Sequence, residues 1–178
     1  MGPPQFELSA GDWAVLGVVG EGATHGFAVA RLLGPHGPLG QVWTLPRAVV
    51  YQALKKLIEL GLVAEGSTER SNRGPARRML TVTPAGKGQL CQWLGQPVEH
   101  VRDVRSLLLL KLALLDRAGQ DPRPLLGAQR AALQPRLANL AVLRDGAEGF
   151  DRVLAEWRLA SLEATLRFLD AAAPAPPG

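Results

Sequence analysis

The 178-residue chain predicts a mainly α fold with one small β-hairpin, on three observations. Residues 44–61 repeat their apolar side chains with the period of a helix. Immediately afterwards, residues 62–65 and 78–83 change to short, partly alternating runs on either side of a polar loop, 66–76, the pattern of two strands and a turn. From residue 96 to 170 no strand pattern recurs and helical segments follow one another.

Taken in order, residues 1–7 read as a loose lead-in. Ser9 offers a capping hydroxyl with Asp12 three places on, a relative of the capping box, and Trp13, Leu16, Val18 and Val19 supply the apolar face of a first helix. Residues 20–23 interrupt it. Thr24 then caps a second helix through Leu33, with Phe27, Ala30 and Leu33 turned inward, and the turn-rich GPHGPLGQ of residues 34–41 leads to the third. There Thr44 is the expected cap, Pro46 suits the first helical turn, where a missing N–H costs least, and Gly61 ends the helix. At about 100° per residue, Arg47, Ala48, Tyr51, Gln52, Lys55, Lys56 and Glu59 collect on one half of that cylinder. Val49, Val50, Ala53, Leu54, Leu57 and Leu60 collect on the other, and Ile58 strays. The apolar half must pack on a core. The outer half therefore presents cations, an amide and a phenol, groups that bond phosphate oxygens and base edges in a major groove.

The hairpin that follows carries Arg70, Arg73, Arg77 and Arg78 in or beside its tip. Thr83 caps a fourth helix, with Pro84 at its first position, running to about Leu94. Three helices followed by a two-stranded hairpin make a winged helix-turn-helix. One probe suits the major groove and the other the neighbouring phosphates or minor groove, so double-stranded DNA is the expected partner. Charge placement agrees: residues 44–90 hold Arg47, Lys55, Lys56, Arg70, Arg73, Arg77, Arg78 and Lys87 against Glu59, Glu65 and Glu69, while the whole chain is only +4. A local basic surface on a near-neutral body attracts a polyanion without making the whole protein adhesive.

Composition bounds the alternatives. With 47% apolar and 20% charged residues the chain is of globular type. No apolar run reaches the roughly 18–20 residues that span a bilayer. The opening MGPPQFELSAGDW lacks a basic region followed by an apolar one, so a soluble, cytoplasmic protein without a membrane partner is expected. The single Cys91 excludes an internal disulfide framework. His25, His36, His100 and Cys91 are scattered without ligand spacing, and Ser71, Ser106 and Ser161 lack a G-x-S-x-G context. Neither an enzyme nor a metal or other cofactor is expected.

HGF at residues 25–27, VVYQALKKLIELGLVAEG at 49–66 and RRMLTVTPAG at 77–86 resemble, in their order and spacing, the PadR-like transcriptional regulators over about residues 8–95. The resemblance implies a dimeric repressor with a winged DNA-binding domain and a helical carboxyl-terminal region that forms the dimer. It places Arg47, Tyr51, Gln52, Lys55 and Lys56 of the third helix against DNA. Met79 and Leu80 depart from the aromatic often found in the second wing strand. Leu45, Pro46 and Arg47 stand where small polar residues are common, which bears on base preference. Some relatives respond to phenolic or drug-like compounds. The flat rings of Trp13, Trp93 and Trp157, with Trp43, are the candidates for gripping such an effector.

In the second half, three helices are readable at about 98–118, 122–144 and 149–172. Leu107–Leu110, Leu112, Leu114 and Leu115 make the first apolar on nearly every face. The last bears one stripe of Phe150, Val153, Trp157, Ala160, Ala164 and Phe168 and another of Leu159, Leu162, Leu166 and Leu169. One stripe can meet its own subunit, and the other is expected to meet a second copy of the chain. Arg152 with Glu156 and Glu163 with Arg167 are four-apart pairs at its wet edge. The expected organisation is a DNA-binding domain over 1–95, a dimerisation domain over 96–173 and a disordered tail, 174–178, with a palindromic operator read by the two winged domains. The alternative is a winged protein-interaction adaptor without a DNA target.

Overall fold

The structure, a computed structural model, describes residues 7–69 and 77–173. Arg70, Arg73 and the tail 174–178 lie outside the described residues, as does the side chain of Arg77. The elements are α1 (Ala10–Gly20), α2 (Gly26–Leu32), α3 (Arg47–Glu59), β1 (Val63–Glu69), β2 (Arg77–Val82), α4 (Pro84–Gly95), α5 (Leu109–Arg117), α6 (Arg123–Leu133), α7 (Arg136–Asp145) and α8 (Gly149–Ala172). Two units divide the chain, Met1–Trp93 and Leu94–Gly178.

In the first unit, α1 opens on the expected capping box. Ser9 Oγ accepts the Asp12 N–H at 3.2 Å and the Ser9 N–H donates to Asp12 Oδ2 at 2.9 Å. The helix is not one-faced, however. Every residue from Ala14 to Val19 is buried, because α3, α2 and β2 all pack around it, while Trp13 is half-buried. The cap of α2 falls one residue later than expected. His25 Nδ1 accepts the Ala28 N–H at 3.1 Å, and Thr24 instead exchanges backbone hydrogen bonds of 3.0 and 2.7 Å with Leu80, adding a rung to the hairpin. That phase carries Val29 and Leu33 inward and Phe27 outward, to 50% exposure.

Thr44 does not cap α3. Its hydroxyl donates back to the Gly40 carbonyl at 2.5 Å, and Pro46 occupies the cap position with no side-chain bond. The carboxyl end is as expected: Gly61 adopts φ +69°, its N–H meets the Ile58 carbonyl, and the Leu62 N–H meets Leu57, both at 2.9 Å. This is the paired closure for which a left-handed glycine is suited. β1 is longer than expected, since pairing continues beyond Val63↔Val82, Ala64↔Thr81 and Glu65↔Leu80, through an irregularity, to Thr68↔Arg78 and Glu69↔Arg77. Thr83 then ties the hairpin to α3, its hydroxyl donating to the Gly61 carbonyl at 2.7 Å and accepting the Gly86 N–H at 3.0 Å. Gly86 is needed there because a Cβ would collide with the Leu62 carbonyl.

In the second unit, the helix expected over 98–118 is composite: a 3-10 turn at Val101–Asp103 and a π turn at Val104–Leu108 precede α5. The helix expected over 122–144 is two helices, because Pro135 lacks the N–H that would continue α6 and stands as the cap of α7. α8 is unbroken. Leu108, Leu110, Leu114 and Leu115 are buried, as are Leu125, Leu126 and Leu133 of α6 and Leu159, Leu162, Leu166 and Leu169 of α8. Gln129, fully buried, accepts the Val98 N–H at 2.6 Å and donates to the Val98 carbonyl at 3.0 Å. Glu156 reaches Arg144 of α7 at 3.9 Å rather than pairing along α8, and Arg130 of α6 pairs with Asp170. The aromatic stripe of α8 is largely uncovered: Phe150 is 77%, Val153 61% and Trp157 65% exposed, while Phe168 is half-buried, and Val142 and Leu143 of α7 are exposed as well.

Lys111 is buried, donating from Nζ to the Gln96 carbonyl at 2.6 Å, and burial pulls its pKa from 10.5 down to about 8. Below pH 8 both folded and unfolded chains carry this proton. Between pH 8 and 10.5 only the unfolded chain holds it, so stability rises with pH across that window. Thermal unfolding followed by circular dichroism is expected to show that rise, and Lys111→Met to remove the part of it that Lys111 supplies.

Candidate nucleic-acid interface

Burial of Val50, Ala53, Leu54 and Leu57 against the core fixes which side of α3 faces out. Arg47, Tyr51, Gln52, Lys55 and Glu59 are exposed along that side. The buried edge is narrower than its sequence suggests, since Val49 is 37% exposed and Leu60 half-buried. At the amino end, the Arg47 guanidinium lies 5.5 Å over the Phe27 ring and 5.6 Å over the Tyr51 ring. Each such contact between a cation and an aromatic face contributes about 0.5–1 kcal/mol at an exposed site and restricts where the guanidinium can point. Lys55 sits 3.7 Å from Glu59, both well exposed, a pair weak enough to release the ammonium to a phosphate.

Lys56 behaves differently from its neighbours. Its Nζ donates to Asp12 Oδ2 at 2.8 Å and to the Glu7 carbonyl at 3.0 Å, so its ammonium fastens α3 to the start of α1 instead of standing free on the outer face. Burial by itself would raise the Asp12 carboxyl, but the hydrogen bonds from Lys56 and from the Ser9 backbone and side chain outweigh it and hold the group below its ordinary value. Asp12 thus serves two partners, closing the cap of α1 and holding the cation of α3. The first role is legible in the local spacing of Ser9 and Asp12; the second depends on a contact between residues 44 apart and leaves no local signal.

On the hairpin, Arg78 pairs across the strands with Glu65 at 2.5 Å. A cavity of about 420 Å³ lies between hairpin and helix, with Tyr51, Leu54, Lys55, Ile58, Arg78 and Leu80 among its lining residues. Arg77 is placed by its backbone alone, opposite Glu69. Of the tryptophans expected to grip an effector, Trp13 and Trp93 stack on each other, centroids 5.0 Å apart and planes within 5°, so each covers a face of the other. Trp157 stands on the exposed stripe of α8. Among the described residues no group of three His, Cys, Asp or Glu side chains is placed to hold a metal ion, and no helix is long and apolar enough to cross a membrane.

Residues 15–92 match the family described as "Transcriptional regulator PadR-like family". The chain is 29% identical over 131 residues to the negative transcriptional regulator PadR of Bacillus subtilis (strain 168), covering 72% of this chain and 69% of that protein. Among solved structures it is similar to Bacillus subtilis PadR in complex with operator DNA, at 22% identity, 90% and 96% coverage of the two chains and a TM-score of 0.47. The same comparison with Bacillus subtilis PadR in complex with p-coumaric acid gives 20% identity, 94% and 96% coverage and a TM-score of 0.43.

Asp12→Asn is expected to destabilise the fold by about 1–3 kcal/mol in chemical denaturation, the usual cost of leaving a charged hydrogen-bond partner unmatched. The contribution of the native carboxyl is complete above its ordinary pKa of 3.8 and fades as pH falls through its lowered folded value. The variant is expected to be free of that acid dependence.

Proposed function

We propose that this chain, whose residues 15–92 match the PadR-like family of transcriptional regulators, is a homodimeric repressor that binds a palindromic operator and is released from it by a small aromatic or drug-like ligand. The observation that carries the proposal is the row of Arg47, Tyr51, Gln52 and Lys55 on the outer side of α3, with Arg78 on the hairpin lining the same cavity as Tyr51 and Lys55. Tyr51 and Gln52 offer hydrogen-bonding groups to base edges, and Arg47, Lys55 and Arg78 offer charge to guanine edges or phosphates. Arg70, Arg73 and Arg77 extend that charge along the hairpin in sequence. The repressor reading is supported by the name of the Bacillus subtilis relative.

The dimer is assigned to residues 96–173 and the DNA contact to residues 1–95. The support for the dimer is the uncovered stripe of α8, Phe150, Val153 and Trp157, whose opposite side is already buried in its own unit. A two-fold pairing of these stripes removes apolar surface from water and brings two winged domains into one particle, as a palindromic operator with half-sites about one helical turn apart requires. A ligand acts by favouring the arrangement whose half-site spacing does not fit DNA. Trp13 with Trp93 in the first unit and, separately, Trp157 in the second are the proposed aromatic contacts, and the cytoplasm the proposed location.

Two measurements test the reading. Selection from a random DNA pool, followed by electrophoretic shifts at rising salt, is expected to return an inverted repeat. Arg47→Gln with Lys55→Gln is expected to flatten the salt dependence by about one unit of log–log slope for each phosphate that the two cations neutralise. Absence of any retained DNA would favour a protein-interaction adaptor. Sedimentation of Trp157→Asp is expected to show a monomer with unchanged helix content.

A further inference from the structure

Phe27 belongs inward by helical spacing and stands outward in the structure, half of its surface open. It does not stand alone. Arg47, the first residue of α3, lays its guanidinium over this ring at 5.5 Å, and His25 flanks the ring with centroids 6.5 Å apart. Tyr51, one turn along α3, holds the same guanidinium at 5.6 Å. The cation is therefore directed between two rings at the amino-terminal end of the helix, the end that meets base edges in helix-turn-helix complexes. A planar fork fixed in direction loses little freedom on pairing, and its geometry matches the O6 and N7 atoms of guanine. The apolar group that a major groove offers beside such a base is the 5-methyl of thymine.

We infer that Phe27 is a specificity determinant: it packs on the 5-methyl group of one thymine in each half-site, next to a guanine read by Arg47. This rests on the DNA-binding reading above. The test uses operators recovered from a random pool, with each thymine replaced in turn by uracil, which lacks only that methyl group. The full-length protein is expected to bind about fourfold more weakly at one position per half-site, the worth of burying one methyl-sized group. Phe27→Ala is expected to bind the thymine and uracil operators equally, and Phe27→Leu to keep part of the difference. Comparing two DNAs with one protein cancels any effect of the substitution on folding. Arg47→Ala is expected to abolish the preference at the adjacent guanine. A parent protein insensitive to every thymine methyl, or sensitivity that survives in Phe27→Ala, overturns the assignment while leaving DNA binding intact. Failure of the parent to retain any DNA overturns the DNA-binding reading and this one together.

Discussion

Four side chains, Val50, Ala53, Leu54 and Leu57, decide what α3 can do. At about 25 cal/mol for each Å² of apolar surface removed from water, covering them contributes several kcal/mol. The outward pairs, such as Lys55 with Glu59, contribute a few tenths each. The hydrophobic term therefore sets the rotation of the helix, and the charged groups take whatever direction that rotation leaves. Burial of α1 on every side supplies the post against which α3 is held.

Lys56 shows how this ordering is reinforced. Its position on the helical wheel borders the buried edge, close enough to reach a carboxylate whose own orientation is fixed by the cap of α1. A cation that would add one more charge to the outer face instead fixes the angle of the whole face. The second unit divides its surfaces in a related way: α8 gives its leucines to α6 and α7 and leaves Phe150, Val153 and Trp157 outside, so folding draws on one side of the helix alone.

Features governed by nearest neighbours were legible in the sequence. The Ser9 and Asp12 box, the closure at Gly61, the Thr83 cap and the full span of α8 all follow from residues within a turn of one another. Features settled by distant partners were not. Thr24 is diverted from capping α2 by Leu80, and His25 takes its place. The extension of β1 through Gly66 and Ser67, poor strand formers, depends on β2 continuing to pair. Pro135 is the exception, a local break that the surrounding helical pattern concealed. Of the expected contact residues, Arg47, Tyr51, Gln52 and Lys55 share one exposed face, and Lys56 leaves it for Asp12.

The two-bond bridge between Thr24 and Leu80 joins the strap ahead of α2 to the second strand of the hairpin, while Thr83 joins the foot of that strand to the end of α3. The hairpin root is thus stitched at both ends to the helices that flank it. The distance between α3 and the root of the hairpin is thereby a fixed gauge within the chain, set by backbone and hydroxyl bonds rather than by side-chain charge.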